Sequence, residues 1–306
     1  MNLLITGALN ADRSFFSELE GLGACIRFVQ DERGPLSGIE PEDIDGVICN
    51  SLFMHHPIEH FPNLRYIQLT SAGYDRVPMD YVRAHEIRIF NAGGVYSIPI
   101  AEFVICGVLQ IYKHSSFFGH NREKKLWVKD RSLSELASKT VCVIGCGSVG
   151  TECAKRFSAF GCKVIGVDPV KQENAHFQQI FSTESMDRIL PTADIVVLTL
   201  PLTAETYHLF NRARLELLPR HSVLVNVSRG AVLDEQALAK RLPDLMGAVL
   251  DVFEEEPLPL SSPLWEAENV ILTPHNSFVG EENERRLRQV IFDHLSAYFK
   301  EKASYE

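Results

Sequence analysis

Short apolar runs alternate with longer, polar-rich stretches from the first residues onward. Leu3–Thr6, Cys25–Val29, Gly46–Cys49, Tyr66–Leu69 and Ile87–Phe90 are brief, mostly apolar and flanked by turn-forming residues, which predicts strands. Arg13–Leu22 predicts an amphipathic helix, because Phe15, Phe16, Leu19 and Leu22 fall near one face. Strands alternating with helices imply βαβ units and a parallel sheet. Ser97-Ile98-Pro99 then opens a strongly apolar segment reaching about Tyr112. It predicts a long helix at the boundary of two lobes, with Ser97 as its N-cap and Pro99 in its first turn. A second alternation begins at Thr140–Ile144 and continues through Lys163–Val167, Ile195–Leu200, Ser222–Val227, Ala248–Leu250 and Val270–Leu272. The closing stretch, Glu281–Lys300, is helical again, with Leu287, Val290, Ile291, Leu295 and Phe299 at three- and four-residue intervals.

Composition narrows the class. A chain of 306 residues suggests two domains of roughly 150 residues each. With 45% hydrophobic and 23% charged residues it can bury a core, which excludes wholesale disorder. A formal charge of −10 argues against nucleic acid or an anionic membrane as partner, since both need a basic footprint. No apolar run reaches the length of a membrane span, and Met1–Gly7 reads as a first strand, not a signal peptide. The cysteines number seven and are scattered, which favours reduced thiols in a cytoplasmic protein over a disulfide framework or a zinc knuckle. Arg122–Arg131 reads as a solvated linker, and His55-His56-Pro57-Ile58-Glu59-His60 as a loop, so no metal site is expected.

The chemistry starts after the strand at Thr140–Ile144. Gly145-Cys146-Gly147-Ser148-Val149-Gly150 is a G-x-G-x-x-G turn between a strand and a helix pattern that runs through Phe160. Gly145 permits the turn, Gly147 lets backbone approach a pyrophosphate, and Gly150 lets helix and strand pack closely. The helix amino end adds N–H groups and a positive dipole end. Asp168 ends the next strand, at the spacing where a carboxylate accepts the adenosine-ribose hydroxyls and repels a 2′-phosphate. A dinucleotide site follows, NAD being favoured over NADP, although Lys171 lies close by.

Beyond it, polar residues stand at or just past the ends of three later strands: Arg229 after Val223–Ser228, Glu256 closing Asp251–Pro257, and His275 after Val270–Pro274. Ligands bind at that edge of an open α/β sheet. A guanidinium grips a carboxylate at two points and polarises an adjacent carbonyl. An imidazole carries a proton near neutral pH, and a carboxylate beside it fixes its tautomer. Reduction of a 2-oxo acid needs these groups plus a hydride donor.

Taken together, the chain resembles the NAD-dependent D-isomer specific 2-hydroxyacid dehydrogenases, a family of phosphoglycerate, glyoxylate/hydroxypyruvate and D-lactate dehydrogenases. The resemblance is carried by the glycine turn with Asp168, by Asn226-Val227-Ser228-Arg229-Gly230, by Asp251-Val252-Phe253-x-x-Glu256-Pro257 and by Thr273-Pro274-His275. Ser71-Ala72-Gly73-Tyr74-Asp75 and Asn91-Ala92-Gly93-Gly94-x-x-Ser97-x-x-x-Ala101-Glu102 add to it. It implies an α/β fold in which a doubly wound, parallel-sheet Rossmann nucleotide domain is inserted into a smaller flavodoxin-like α/β substrate domain. Residues 1–98 plus 280–306 would form the substrate (catalytic) domain and 99–279 the NAD-binding domain. The same resemblance implies roles: Arg229 on the substrate carboxylate and carbonyl, His275 as acid/base paired with Glu256, and the amides around Ala72 and Gly73 on the substrate carboxylate, with Tyr74 beside them. Ser148 and Val149 would face the pyrophosphate, Leu200-Pro201 the adenine-side ribose, and Asp251 with Val227 and Ser228 the nicotinamide. A homodimer is implied as well.

Departures accompany the match. Asn276-Ser277-Phe278 follows His275 where many relatives have Ile and small residues, so Phe278 is expected to reshape the pocket. No appended regulatory domain is expected after residue 306, and Glu256 argues against formate as substrate. The alternative to an enzyme is an NADH-sensing binding protein on the same fold with incidental catalysis.

Overall fold

The computed structural model describes residues 1–170 and 173–303. Lys171 lies outside the described residues. By internal contacts the chain divides into two compact units, Met1–Tyr96 with Gly280–Glu306, and Ser97–Val279.

The first unit carries strands β1 (Asn2–Thr6), β2 (Cys25–Val29), β3 (Gly46–Cys49), β4 (Tyr66–Leu69) and β5 (Arg88–Phe90), with helices α1 (Arg13–Gly21) and α2 (Met79–Ala84) between them. They form a five-stranded sheet in the order β2-β1-β3-β4-β5, parallel at each pairing. This is the flavodoxin-like order, with the direction of winding reversing beside β1. Alternation along β1 sorts its side chains between two cores. Leu3 and Ile5 join Phe15 and Leu19 of α1, while Leu4 turns to the opposite face with Val47, Ile67 and Val82. Helix α1 begins where Asp12 caps it, its carboxylate accepting from Phe15 N at 2.9 Å.

The second unit opens with α3 (Ser97–Tyr112) and α4 (Ser115–Glu123) and continues through β6 (Thr140–Ile144), α5 (Ser148–Ala159), β7 (Lys163–Val167), β8 (Gln179–Phe181), α6 (Met186–Ile189) and β9 (Ile195–Leu198). It closes with α7 (Arg212–Leu217), β10 (Val223–Asn226), α8 (Glu235–Arg241), β11 (Gly247–Leu250) and β12 (Val270–Leu272). Its seven strands lie in the order β12-β11-β10-β9-β6-β7-β8, again parallel throughout. Both faces are covered. Val141 and Val143 pack with Val104 and Val108 of α3 and Phe157 of α5, while Cys142 and Ile144 pack with Leu215 of α7 and Leu238 of α8. A sheet buried on both faces explains why its strands read as unbroken apolar runs.

The chain's last helix, α9 (Asn283–Ala303), belongs to the first unit. Its stripe of Leu287, Ile291 and Leu295 joins the cluster of Leu3, Phe15 and Leu19. No helix among the described residues is long and apolar enough to cross a membrane.

Some expectations shift. Helix α3 takes in Ser97 as its own first residue, buried, in place of a cap outside it. β9 stops at Leu198 because Thr199 turns to hold the neighbouring loop. The short strand β8, half-buried at the sheet edge, was too brief to show a period. The linker after α4 is solvated as read, and Trp127 within it is 97% exposed.

Leu295 is fully buried. Leu295→Ala should therefore lower unfolding free energy by about 2–5 kcal/mol in urea titration. A loss below the range of ordinary surface substitutions would show that α9 is not part of that core.

Candidate active site

Because the strands of the seven-stranded sheet run parallel, the loops after β6, β7, β9, β10, β11 and β12 leave from one edge. The winding reverses between β6 and β9, and the crevice at such a switch point is where open α/β sheets bind ligands.

The glycine turn sits there. Gly145 has φ +97°, a conformation that glycine adopts without penalty. Its N–H donates to Val167 O at 2.8 Å. A Cβ on Gly150 would fall 2.0 Å from Gly145 O, so helix α5 packs directly on the turn. Gly147 differs: a Cβ there would meet nothing within 4 Å. Nothing inside the protein demands glycine at 147, whereas a pyrophosphate approaching the backbone does. Ser148 and Val149 begin α5, whose first-turn amides have no acceptor within their own helix. The residues present thus fit a dinucleotide.

Asp168 stands at the end of β7, half-buried. Its Oδ2 accepts from Cys146 N at 2.7 Å and its Oδ1 from Val170 N at 2.8 Å. Each carboxylate oxygen keeps further acceptor capacity, so the amides orient the group and leave room for ribose hydroxyls. Thr199 was missed in the sequence. Its hydroxyl donates within reach of Gly145 O (2.7 Å) and Ile144 O (3.1 Å), tying the β9 loop to the glycine turn. Leu200 is buried behind it and Pro201 is exposed.

The rest of this edge is built by the β10, β11 and β12 loops. Asn226 is a fully buried amide ending an apolar strand. Its Oδ1 accepts from Ser228 N (3.1 Å) and Ser228 Oγ (2.7 Å), and its Nδ2 donates to Arg229 O at 3.1 Å. That side chain fixes the turn of Val227, Ser228 and Arg229, the first two being buried. Arg229 is half-buried, and its Nη1 donates to Ser228 O at 2.8 Å. A Cβ on Gly230 would lie 1.8 Å from the Phe253 carbonyl carbon, so the β10 turn rests on the peptide joining Phe253 and Glu254.

Glu256 and His275 meet. Glu256 Oε1 accepts from Phe253 N at 3.1 Å, and Oε2 lies 2.9 Å from His275 Nδ1. An ionised carboxylate only accepts, so Nδ1 carries the hydrogen in this pair and Nε2 is left outside it. Both side chains are a little over one third exposed, at 39% and 37%. His275 itself adopts φ +50°, and its N–H donates to Asp251 O at 2.7 Å. Asp251, expected beside the nicotinamide, is 0% exposed. Its Oδ1 accepts from Thr273 Oγ1 (2.6 Å) and Asn276 N (2.8 Å), and its Oδ2 from Ser277 N (2.9 Å). Its carboxylate therefore works inward, on the turn that presents His275. The Phe278 ring stands edge-on to the imidazole, with centroids 6.2 Å apart.

Ala72, Gly73 and Tyr74 lie in the first unit, in the loop after β4. Asn91 Nδ2 donates to Ala72 O at 2.6 Å and Ser71 Oγ to Gly73 O at 3.2 Å, which sets the loop's backbone. Tyr74 is exposed at 39%, and partial burial raises its hydroxyl above the usual range. The histidine loop at 55–60 uses His56 structurally, its Nε2 lying 3.0 Å from Gly34 O.

A glycine turn at a switch point, a carboxylate at the end of the following strand and an imidazole–carboxylate pair thus share one sheet edge. Residues 105–277 match the NAD binding domain of the D-isomer specific 2-hydroxyacid dehydrogenases. The chain is 32% identical over 248 residues to a glyoxylate reductase of Thermofilum pendens, covering 78% of this chain and 73% of that one. It is 31% identical over 242 residues to an (S)-sulfolactate dehydrogenase of Chromohalobacter salexigens, covering 78% of each. The crystal structure of a D-isomer specific 2-hydroxyacid dehydrogenase family protein from Aeromonas salmonicida superimposes with a TM-score of 0.78 at 28% identity, covering 95% of this chain and 94% of that one. The chain belongs to the D-isomer specific 2-hydroxyacid dehydrogenase family, carries its NAD-binding domain and is a dehydrogenase of 2-hydroxy or 2-oxo acids.

The two kinds of glycine separate in a mutational test. Gly230→Ala should destabilise the fold by about 1–3 kcal/mol, since its methyl group has nowhere to go. Gly147→Ala should leave the urea midpoint unchanged and weaken NADH binding roughly tenfold, about 1.4 kcal/mol, by fluorescence titration. Unchanged NADH affinity would remove Gly147 from the cradle.

Proposed function

We propose that this protein is an NAD-dependent reductase of a small 2-oxo acid, with His275 as the proton donor, Glu256 as its partner and Arg229 as the group that holds the substrate. The observation that carries this reading is the 2.9 Å contact between His275 Nδ1 and Glu256, on the same sheet edge as the glycine turn. Bound NADH supplies the hydride to the carbonyl carbon. His275 Nε2–H delivers the proton to the carbonyl oxygen, and the neutral imidazole regains it from solvent. Glu256 stabilises the imidazolium and keeps the ring oriented. Arg229 pairs with the substrate carboxylate and polarises the adjacent carbonyl. Ala72, Gly73 and Tyr74 are assigned to the substrate carboxylate, in a loop whose carbonyls are already engaged. Asp168 supports NAD over NADP, because its carboxylate would face a 2′-phosphate with like charge. Asp251, Val227 and Ser228 are assigned to the nicotinamide side; Asp251 also holds the turn that carries His275, and Asn226 holds the turn of Val227 and Ser228. A cytoplasmic location fits the free state of the seven cysteines.

A homodimer is part of the proposal. Ile105, Cys106, Leu109 and Phe160 line a groove on the second unit that Glu102, Gln110, Lys113, Ser115 and Arg156 border, and Leu126 and Trp127 are exposed in the linker after α4. Sedimentation equilibrium should give twice the chain mass; a monomer at micromolar concentration would reject this part.

A panel of 2-oxo acids, glyoxylate and hydroxypyruvate included, should show turnover well above background with at least one acid and faster with NADH than with NADPH. His275→Ala should cut that turnover by about two to four orders of magnitude with little change in NADH affinity. Uniform silence across the panel beside tight NADH binding would instead favour a sensing role on the same fold, and an active His275→Ala enzyme would refute the proton-transfer assignment.

A further inference from the structure

Two residues before Glu256 the same turn carries a second imidazole–carboxylate pair. Glu254 Oε2 lies 3.0 Å from His208 Nε2, which comes from the loop after β9. Glu254 Oε1 accepts from Glu235 N at 3.3 Å, at the amino end of α8, and Glu254 N donates back to Glu235 Oε1 at 2.6 Å. His208 is itself anchored, since its N–H donates to Ala231 O at 2.8 Å and its neighbours Phe210 and Leu233 form a parallel bridge. One side chain therefore links the loops after β9, β10 and β11.

The turn needs such a link. Glu235, Glu254 and Glu256 bring three carboxyl groups to one short stretch, and like charges at close range push apart. Burial raises the Glu235 carboxyl above its usual range, and the charges of Glu254 and Glu256 push it in the same direction. The donors that offset this repulsion at Glu254 are the His208 ring and the Glu235 amide. Glu256 depends on the outcome, because it reaches His275 from a turn whose start, Phe253–Glu254, is pressed against Gly230.

We propose that Glu254 is a positioning residue for the reaction: clamped by His208 and by the amino end of α8, it fixes the Phe253–Glu256 turn and so keeps Glu256 seated on His275. It touches neither substrate nor cofactor and acts through Glu256. The proposal rests on the reading of His275 and Glu256 given above.

The full chain is assayed with NADH and whichever 2-oxo acid it reduces. Glu254→Ala should lower kcat about tenfold, with the KM for the oxo acid and the affinity for NADH within about twofold of the parent, as expected when alignment and not binding is lost. Glu254→Gln keeps an oxygen for the Glu235 amide, and its NH2 donates to His208 Nε2 once the ring carries its hydrogen on Nδ1, so it should restore kcat to within about twofold. His208→Ala, which alters a different loop, should lower kcat in the same direction as Glu254→Ala. Unchanged kcat in Glu254→Ala, a change confined to KM or thermal midpoint, or a Glu254→Gln enzyme as slow as Glu254→Ala would each overturn the positioning role. Failure of the underlying reading looks different: the parent protein turns over no oxo acid, or His275→Ala remains active.

Discussion

The carboxylate of Asp251 is shut away from solvent at the end of β11, and three donors from the next strand's outgoing turn converge on it. A buried charge without partners would be costly, and here both oxygens are satisfied by Thr273 Oγ1 and the amides of Asn276 and Ser277. That arrangement lets His275 occupy a left-handed backbone conformation that a bulky side chain seldom adopts. The imidazole is thus aimed by its neighbours' hydrogen bonds more than by its own. Asn226 does the equivalent for Arg229 one loop away, holding Ser228 and the Arg229 carbonyl from the end of β10. The groups proposed to meet substrate stand on turns, and the groups that shape those turns are buried amides and carboxylates at strand ends.

Much of this was legible in the chain. The inner strands β3, β6, β9, β10 and β11 are buried along their length, so most of their residues are apolar and short runs suffice to detect them. The glycine turn was legible because each of its glycines answers a separate steric demand, and the coordinates separate them: Gly150 has no room, while Gly147 has room that the protein itself does not use. The final helix was legible from its stripe, which packs on the first sheet through Leu287, Ile291 and Leu295.

What escaped the sequence was direction. Asp251 has the residue type and position of a cofactor contact, and its oxygens also hold the turn behind it, which its type alone does not reveal. Thr199 looked like the continuation of a strand, and its hydroxyl instead closes on Gly145. The pairing of His208 with Glu254 joins loops far apart in sequence, and neither residue announces it. β8 is three residues at a sheet edge, below the length at which alternation means anything. Residue identity gave the inventory of donors and acceptors, and only the fold decided which of them spend their capacity on each other.

The packing of α9 has a bearing on how the polypeptide acquires its shape during synthesis. Leu3, Ile5 and Phe15 leave the ribosome early, yet a share of the apolar surface that covers them arrives only with Leu287, Ile291 and Leu295. The second unit has its own cores and is complete before α9 emerges, so it is able to fold first. The intervening length then no longer behaves as a floppy loop of nearly two hundred residues, and the entropy of closing the ring is largely spent before the helix docks.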